Sequence, residues 1–171
     1  CHSCGACKYF CPLNAIDEIK QPVGVIEYGE SNGVDYVCGR LNVGQAMPTS
    51  LIKAVKKQIN HVRYAIIDAP PGTSCAMVQS VLGSQYCILV TEPTPFGLND
   101  LKLAVDVLMK LKIPFGVIIN RCDMGDNKVE KYCYDMDIKI LMKIPFDRKI
   151  AENYALGKSL IDVFPEYKEE F

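Results

Sequence analysis

The expected architecture follows from one run of residues, Tyr64-Ala65-Ile66-Ile67-Asp68-Ala69-Pro70-Pro71-Gly72-Thr73-Ser74. Its first part is short and apolar and is bounded by turn residues, which is typical of a buried strand in a parallel sheet. Asp68 stands where that strand would leave the core, and open α/β sheets bind ligands beyond the carboxyl ends of their strands. A carboxylate there can hold Mg²⁺ beside a nucleotide phosphate. The alternative is an aspartate that caps the following helix.

Beyond this run, apolar strands alternate with amphipathic helices to the end of the chain. The pattern predicts strands near 86–91, 115–120 and 138–142, and helices near 74–83, 98–111, 126–136 and 149–156. Strands that alternate with helices indicate βαβ units and a parallel sheet with right-handed crossovers. The last residues, 166–171, are expected to be frayed.

The segment before the run predicts a hairpin and a helix. Residues 23–28 and 34–38 indicate two short strands around a turn, and Leu51, Ile52, Val55 and Ile59 fall on one face of a helix over 48–60. Between them, Gly39-Arg40-Leu41-Asn42-Val43-Gly44 has the glycine spacing of a phosphate loop. Gln45 and Ala46 follow, where a Walker A motif needs Lys and Ser or Thr, so we reject this segment as a P-loop.

The chain opens on the cysteine run Cys1-His2-Ser3-Cys4-Gly5-Ala6-Cys7-Lys8-Tyr9-Phe10-Cys11-Pro12. Its C-x₂-C-x₂-C-x₃-C-P spacing is the bacterial ferredoxin pattern for an iron–sulfur cluster. In two-cluster ferredoxins the fourth cysteine ligates the other cluster, so Cys1, Cys4 and Cys7 would share one cluster and Cys11 a second. The alternatives are a zinc knuckle and a chance cluster, but zinc sites usually use two separated pairs.

Composition restricts the class of protein. A formal net charge of −1 gives no global attraction to nucleic acid or to an anionic membrane, and no apolar run reaches the length of a membrane span. There are nine cysteines, an odd number that favours thiolate ligands in a reducing compartment over a disulfide framework. Because the chain begins at Cys1, inside a motif, we expect it to be a segment of a longer protein.

Polar side chains follow several predicted strands, at the edge where such sheets bind ligands. They are Asp68, Thr91-Glu92, Asn120-Arg121 and Pro145-Phe146-Asp147. The Asn120 amide offers both a donor and an acceptor, so it can read the edge of a nucleotide base. The alternative is that Asn120, Arg121 and Asp123 are only turn residues.

Together these segments resemble the MinD/ParA superfamily of P-loop ATPases, and more closely its branch with an inserted ferredoxin domain. The resemblance rests on the cysteine run, Gly39–Gly44, the segments 67–73 and 90–98, Ile119-Asn120-Arg121 and Ile144-Pro145-Phe146-Asp147. It implies a doubly wound, mostly parallel sheet over residues 23–171. It also implies a partial ferredoxin-type 4Fe–4S segment over residues 1–22.

The resemblance also implies roles for single residues. Asp68 would be the Mg²⁺ aspartate of the Walker B type, and Gly72 would belong to switch II. Asn120 and Arg121 would contact adenine, with the Pro145 loop beside it. The Walker A lysines and the switch I aspartate of the family would lie upstream of Cys1, so residues 1–171 alone are expected to show no appreciable ATPase activity.

The function expected for the complete protein is Mg²⁺-dependent ATP hydrolysis, with ATP, Mg²⁺ and a 4Fe–4S cluster as cofactors. Two alternatives stay open, an electron-transfer module with a regulatory nucleotide site and a scaffold that assembles or carries iron–sulfur clusters. Expected partners are ATP or ADP, a redox or cluster-acceptor protein, and a second copy in a nucleotide-dependent homodimer. Nucleic acid is not expected as a partner, and the expected location is the cytoplasm.

Overall fold

The structure is a computed structural model that describes residues 4–59 and 62–170. The chain divides into two compact units, one ending at Val81 and the other beginning at Leu82. The boundary predicted between residues 22 and 23 stays a prediction. Among the helices that the structure describes, none is long and apolar enough to cross a membrane.

The first unit contains a hairpin and three helices. In chain order its elements are α1 (Ala6–Tyr9), β1 (Gly24–Ser31), β2 (Val34–Leu41), α2 (Pro48–Lys56) and α3 (Cys75–Val81). The two strands pair antiparallel from Gly24↔Leu41 to Ser31↔Val34, which confirms the predicted hairpin. Its turn is the dipeptide Asn32-Gly33, with both residues at positive φ (53° and 76°), as a type I′ turn requires.

Helix α2 packs against both strands of the hairpin and against α3. Pro48 stands at its first turn, and Leu51 is buried at 7 % exposure. Lys56 Nζ donates to the carbonyl oxygens of Gln79 (3.1 Å) and Ser80 (2.7 Å) near the end of α3. Desolvation lowers the pKa of this amine. Gly39 lies within β2 rather than in a loop before a helix, in keeping with the rejection of a P-loop there.

The strand predicted over Tyr64–Asp68 is wrong for this structure. Residues 64–70 form neither strand nor helix, and the side chains of Tyr64 and Ile66 are 80 % and 99 % exposed. A strand exists only through ladder hydrogen bonds to a neighbour. No described residue pairs with this segment. Its apolar composition therefore does not by itself produce a strand.

The second unit is an α/β unit built on a parallel sheet. Its elements are β3 (Cys87–Thr91), α4 (Pro95–Leu111), β4 (Phe115–Asn120), α5 (Lys128–Asp135), β5 (Ile140–Ile144), α6 (Arg148–Ala155), α7 (Leu160–Val163) and α8 (Tyr167–Glu170). The strands lie in the order β3-β4-β5, and all pairs are parallel. This confirms the predicted alternation from residue 86 onward. The tail expected to be frayed contains the short helix α8.

The core of this unit lies between the sheet and its crossover helices. Val117 and Ile119 of β4 alternate inward and meet Leu101 and Val105 of α4, while Val129 and Cys133 of α5 complete the cluster. All are at most 3 % exposed. On the edge strand β3, Ile88 and Val90 are 56 % and 65 % exposed. The described helices therefore bury one face of β3, and the doubly wound arrangement stays a prediction.

Candidate functional site

The carboxyl ends of the three parallel strands bring three loops of the second unit together. Thr91 of β3 pairs with Ile119 of β4, and Asn120 of β4 pairs with Ile144 of β5. The loops that follow span residues 92–94, 121–127 and 145–147, and we call them the three edge loops. Because parallel strands all point to one edge, side chains distant in sequence become neighbours here.

The first edge loop is fixed by the start of α4. Thr94 Oγ1 accepts from the backbone N–H of Gly97 at 3.0 Å and caps the helix. Thr91 Oγ1 donates to the Gly97 carbonyl at 3.0 Å. A Cβ on Gly97 would collide with the carbonyl oxygen of Glu92, so this position requires glycine. The loop therefore holds Glu92 at the end of β3.

The second edge loop contacts both of the others through Arg121. Arg121 Nε lies 3.5 Å from Glu92 Oε1, and its guanidinium lies 5.8 Å from the centre of the Phe146 ring. The ion pair is exposed and contributes at most about 1 kcal/mol, and the contact with the ring is a cation–π interaction. A Cβ on Gly125 would meet the carbonyl oxygen of Pro93, so the backbones of the first two edge loops touch.

Two hydrogen bonds join the second edge loop to β5 and the third edge loop. Cys122 N–H donates to the Ile144 carbonyl at 3.0 Å and continues the β4–β5 ladder. The backbone N–H of Phe146 donates to Asp123 Oδ1 at 2.6 Å. Asp147 then caps α6 by accepting from the Lys149 N–H at 2.8 Å. The three edge loops thus form one braced surface.

The structure brings together the predicted base-contacting residues Asn120, Arg121 and Pro145. Asn120 ends β4 and is half-buried, and Pro145 is exposed on the third edge loop. Their roles toward a nucleotide stay predictions.

Asp68 and Gly72 lie in the first unit. Both are exposed, and Gly72 has a positive φ of 83°. Hydrogen bonding with Cys38 raises the pKa of Tyr36, and the negative charges of Glu27 and Asp68 add to that rise. The Asp68 carboxylate is therefore close enough to Tyr36 of β2 for its negative charge to contribute to the raised pKa of that side chain. Its predicted role toward Mg²⁺ stays a prediction.

The described part of the cysteine run carries free thiols. Cys4 and Cys7 are exposed, Cys11 is half-buried, and Cys1 lies outside the described residues. Helix α1 spans Ala6–Tyr9, and Cys11 Sγ accepts from the Ala15 N–H at 3.2 Å. Within residues 4–59 and 62–170, no three His, Cys, Asp or Glu side chains converge as a metal site. The donor set still fits an iron–sulfur cluster in its chemistry, since the thiols are unbridged and one accepts a backbone amide.

Sequence reasoning missed the residues that brace the edge. Gly97 and Gly125 make close backbone approaches, and Asp123 reaches 23 residues along the chain to the Phe146 amide. Gly97 carried a usable signal, because glycine in the first turns of a helix lowers helix propensity and needs a packing reason. Asp123 carried none beyond its turn-forming type.

Comparison with known proteins identifies a family and shows similarity to a solved structure. Residues 42–170 match the family described as ParA: NUBPL iron-transfer P-loop NTPase. The MinD cell division protein of Aquifex aeolicus superposes with a TM-score of 0.54 at 18 % identity, covering 69 % of this chain and 52 % of that protein. At this identity the superposition shows a shared fold.

Similar curated proteins include two from Methanocaldococcus jannaschii and one from Pyrococcus horikoshii. Two uncharacterized proteins of Methanocaldococcus jannaschii are 30 % and 28 % identical, and the alignments cover 92 % and 99 % of this chain. The iron-sulfur cluster carrier protein of Pyrococcus horikoshii is 29 % identical over 64 % of this chain. The chain spans 56 %, 72 % and 44 % of these three proteins, respectively.

Proposed function

Because this chain belongs to the P-loop NTPases of the ParA type, in the family described as NUBPL iron-transfer, we propose that it forms the base-binding side of an ATP site in an iron–sulfur ATPase. The observation that carries the proposal is the braced edge of the second unit. There, Asn120 and Arg121 stand at the carboxyl end of a parallel strand, which is where such sheets bind nucleotides.

The base site would work by polar recognition and stacking. The Asn120 amide can donate and accept at once, which matches the adjacent amine and ring nitrogen of adenine. Arg121 offers a planar cation that already lies against the Phe146 ring. Pro145 adds an apolar wall on the third edge loop. None of these groups needs to react, because their part is to bind and orient the nucleotide.

Asp68 and the turn that contains Gly72 would serve Mg²⁺ and the phosphates. The exposed Asp68 carboxylate is suited to Mg²⁺, which prefers oxygen ligands. Bound Mg²⁺ would neutralise charge on the phosphates, and the protein would position the attacking water. The printed sequence contains no Gly-rich loop followed by Lys and Ser or Thr.

The cysteine run would hold a 4Fe–4S cluster of the ferredoxin type, through Cys1, Cys4, Cys7 and, for a second cluster, Cys11. Two roles for such a cluster differ chemically, delivery to an apo-protein and electron transfer. The iron-transfer description of the family and the name of the Pyrococcus horikoshii relative both favour delivery. We propose that ATP turnover accompanies cluster transfer to an acceptor protein, within a cytoplasmic homodimer.

ATP turnover by the complete gene product tests the nucleotide assignment. We expect Asp68→Ala to lower Mg²⁺-dependent ATP hydrolysis by orders of magnitude, because the substitution removes a metal anchor. Asp135→Ala, which removes an exposed carboxylate at the end of α5, is the matched control and should retain wild-type turnover. Wild-type turnover by Asp68→Ala would remove this residue from the site.

Metal analysis of the same protein, purified without oxygen, tests the cluster. We expect a brown protein with near-stoichiometric iron and acid-labile sulfide, and a loss of much of both in Cys4→Ser. Cys75→Ser changes another exposed thiol, outside the run, and should retain both. Zinc in place of iron after anaerobic reconstitution would contradict the assignment. Transfer of the cluster to an apo-ferredoxin would support cluster delivery over electron transfer as the role of the cluster.

A further inference from the structure

A single side chain, Asp123, connects the loop after β4 to the loop after β5. Its Oδ1 accepts from the backbone N–H of Phe146 at 2.6 Å, although the two residues are 23 positions apart. The distance is short for an N–H···O hydrogen bond. A turn aspartate that served only its own loop would bond to a neighbouring amide, as Asp126 does to the Lys128 N–H.

The hydrogen bond from the Phe146 N–H to Asp123 lies in a part of the third edge loop that belongs to neither a strand nor a helix. The β4–β5 ladder ends with the bond from Cys122 N–H to the Ile144 carbonyl. The next fixed point is the Asp147 cap of α6. Pro145 and Phe146 lie between these two, and Pro145 has no N–H to donate. The hydrogen bond from the Phe146 N–H to Asp123 therefore fixes the backbone of the segment that contains Pro145 and Phe146.

The same interval carries the ring that supports Arg121. The Arg121 guanidinium lies 5.8 Å from the centre of the Phe146 ring and its Nε lies 3.5 Å from Glu92 Oε1. Arg121 also has a left-handed backbone, with φ at 50°. If Phe146 moved, Arg121 would lose the surface against which it stacks, and Pro145 would move with the loop.

We propose that Asp123 is a positioning residue of the base site: its carboxylate fixes the Phe146 amide and so sets Pro145 and the Arg121–Phe146 pair around the nucleotide base. This inference rests on the proposed ATP site. Asp123 acts through the loop and does not touch the nucleotide. The proposed role depends on an acceptor oxygen within hydrogen-bond distance of the Phe146 N–H more than on the negative charge of the carboxylate.

This distinction defines the variants. Asp123→Ala removes the acceptor, whereas Asp123→Asn keeps a carbonyl oxygen at the same position and removes the charge. Asp126→Ala is the matched control, because it removes a carboxylate from the same loop that bonds only toward α5. The ligands are Mg-ATP and Mg-tripolyphosphate, since the second carries the phosphates without a base. Both are titrated calorimetrically into the complete gene product, and circular dichroism melts report folding.

We expect Asp123→Ala to weaken ATP binding about tenfold, the scale of one intramolecular hydrogen bond, and to leave tripolyphosphate binding unchanged. Asp123→Asn and Asp126→Ala should bind both ligands within about threefold of wild type. Unchanged ATP affinity in Asp123→Ala would overturn the positioning role alone. So would equal losses in the Ala and Asn variants, or a parallel loss of tripolyphosphate binding. A wild-type protein that binds no ATP would overturn the proposed function and this role with it.

Discussion

At the scale of single residues, contacts between distant parts of the chain hold the polar groups at the carboxyl end of β4. Asn120 and Arg121 were predicted at a strand end from residue type and position, and the structure places them there. The left-handed backbone of Arg121 (φ 50°) was not predictable, because such a conformation costs a non-glycine residue about 1 kcal/mol and only tertiary contacts maintain it. The Asp123–Phe146 bond was equally hidden, since it joins residues that only the fold brings together.

Burial divides the cysteines into reactive and protected thiols. Cys133 is fully buried in the core and burial raises the pKa of its thiol, while Cys4, Cys7 and Cys75 are exposed. Alkylation requires access and the thiolate form. We expect iodoacetamide at neutral pH to label the three exposed thiols well before Cys133 in protein stripped of iron, as followed by mass spectrometry. Denaturant should equalise the rates, and early labelling of Cys133 in the folded protein would contradict this core.

At the scale of elements, three helices of the second unit end in the same motif. A left-handed residue lies one or two positions after the end of each helix, and its N–H and the N–H of the next residue bond back to carbonyls of the last turn. The positions are Lys112, Asp137 and Gly157, with φ of 56°, 53° and 76°. After α4, Lys112 N–H bonds to the Met109 carbonyl and Ile113 N–H to the Leu108 carbonyl, both at 3.1 Å. This is the Schellman arrangement, in which glycine is preferred.

The motif makes Lys112 a site for stabilisation. We expect Lys112→Gly to raise the free energy of unfolding by about 0.5–1 kcal/mol, because glycine adopts positive φ without the steric cost of a Cβ. Lys110→Gly, two residues earlier and inside α4, should lower it by a similar amount, about 0.5–1 kcal/mol, through lost helix propensity. Urea denaturation of both variants measures the difference. Destabilisation by Lys112→Gly would show that the lysine side chain outweighs its backbone strain.

Helices and strands were predictable where their own apolar spacing, or a partner strand next to them in the chain, is enough to form them. The Asn32-Gly33 turn brings β1 and β2 together locally, and β3 to β5 are linked by helices whose apolar faces fall at regular spacing. The predicted helices end directly before Lys112, Asp137 and Gly157, but only at Gly157 does the residue type indicate the left-handed conformation. The strand expected over Tyr64–Asp68 failed for the opposite reason. No described residue forms a ladder with this segment, and apolar composition alone does not create a strand.

At the scale of the whole molecule, sequence motifs identified the family, but they did not identify the oligomeric state or the partner proteins. The chain spans 56 % and 44 % of two of its curated relatives, so part of what they contain has no counterpart here. The residues with proposed roles belong to two different compact units. The cysteine run and Asp68 belong to the first, and Asn120 and Arg121 to the second.

The most direct test of the central claim, that the strand-end residues form the base side of an ATP site, is calorimetric titration of Mg-ATP into the complete gene product. We predict that wild type binds Mg-ATP more tightly than Mg-GTP, and that Asn120→Ala lowers ATP affinity about tenfold and reduces that preference, because a base-reading hydrogen bond is lost. Asn127→Ala, an exposed asparagine before α5, should bind as wild type does. An Asn120→Ala protein with unchanged affinity and unchanged preference for ATP, or a wild type that binds no ATP, would contradict the claim.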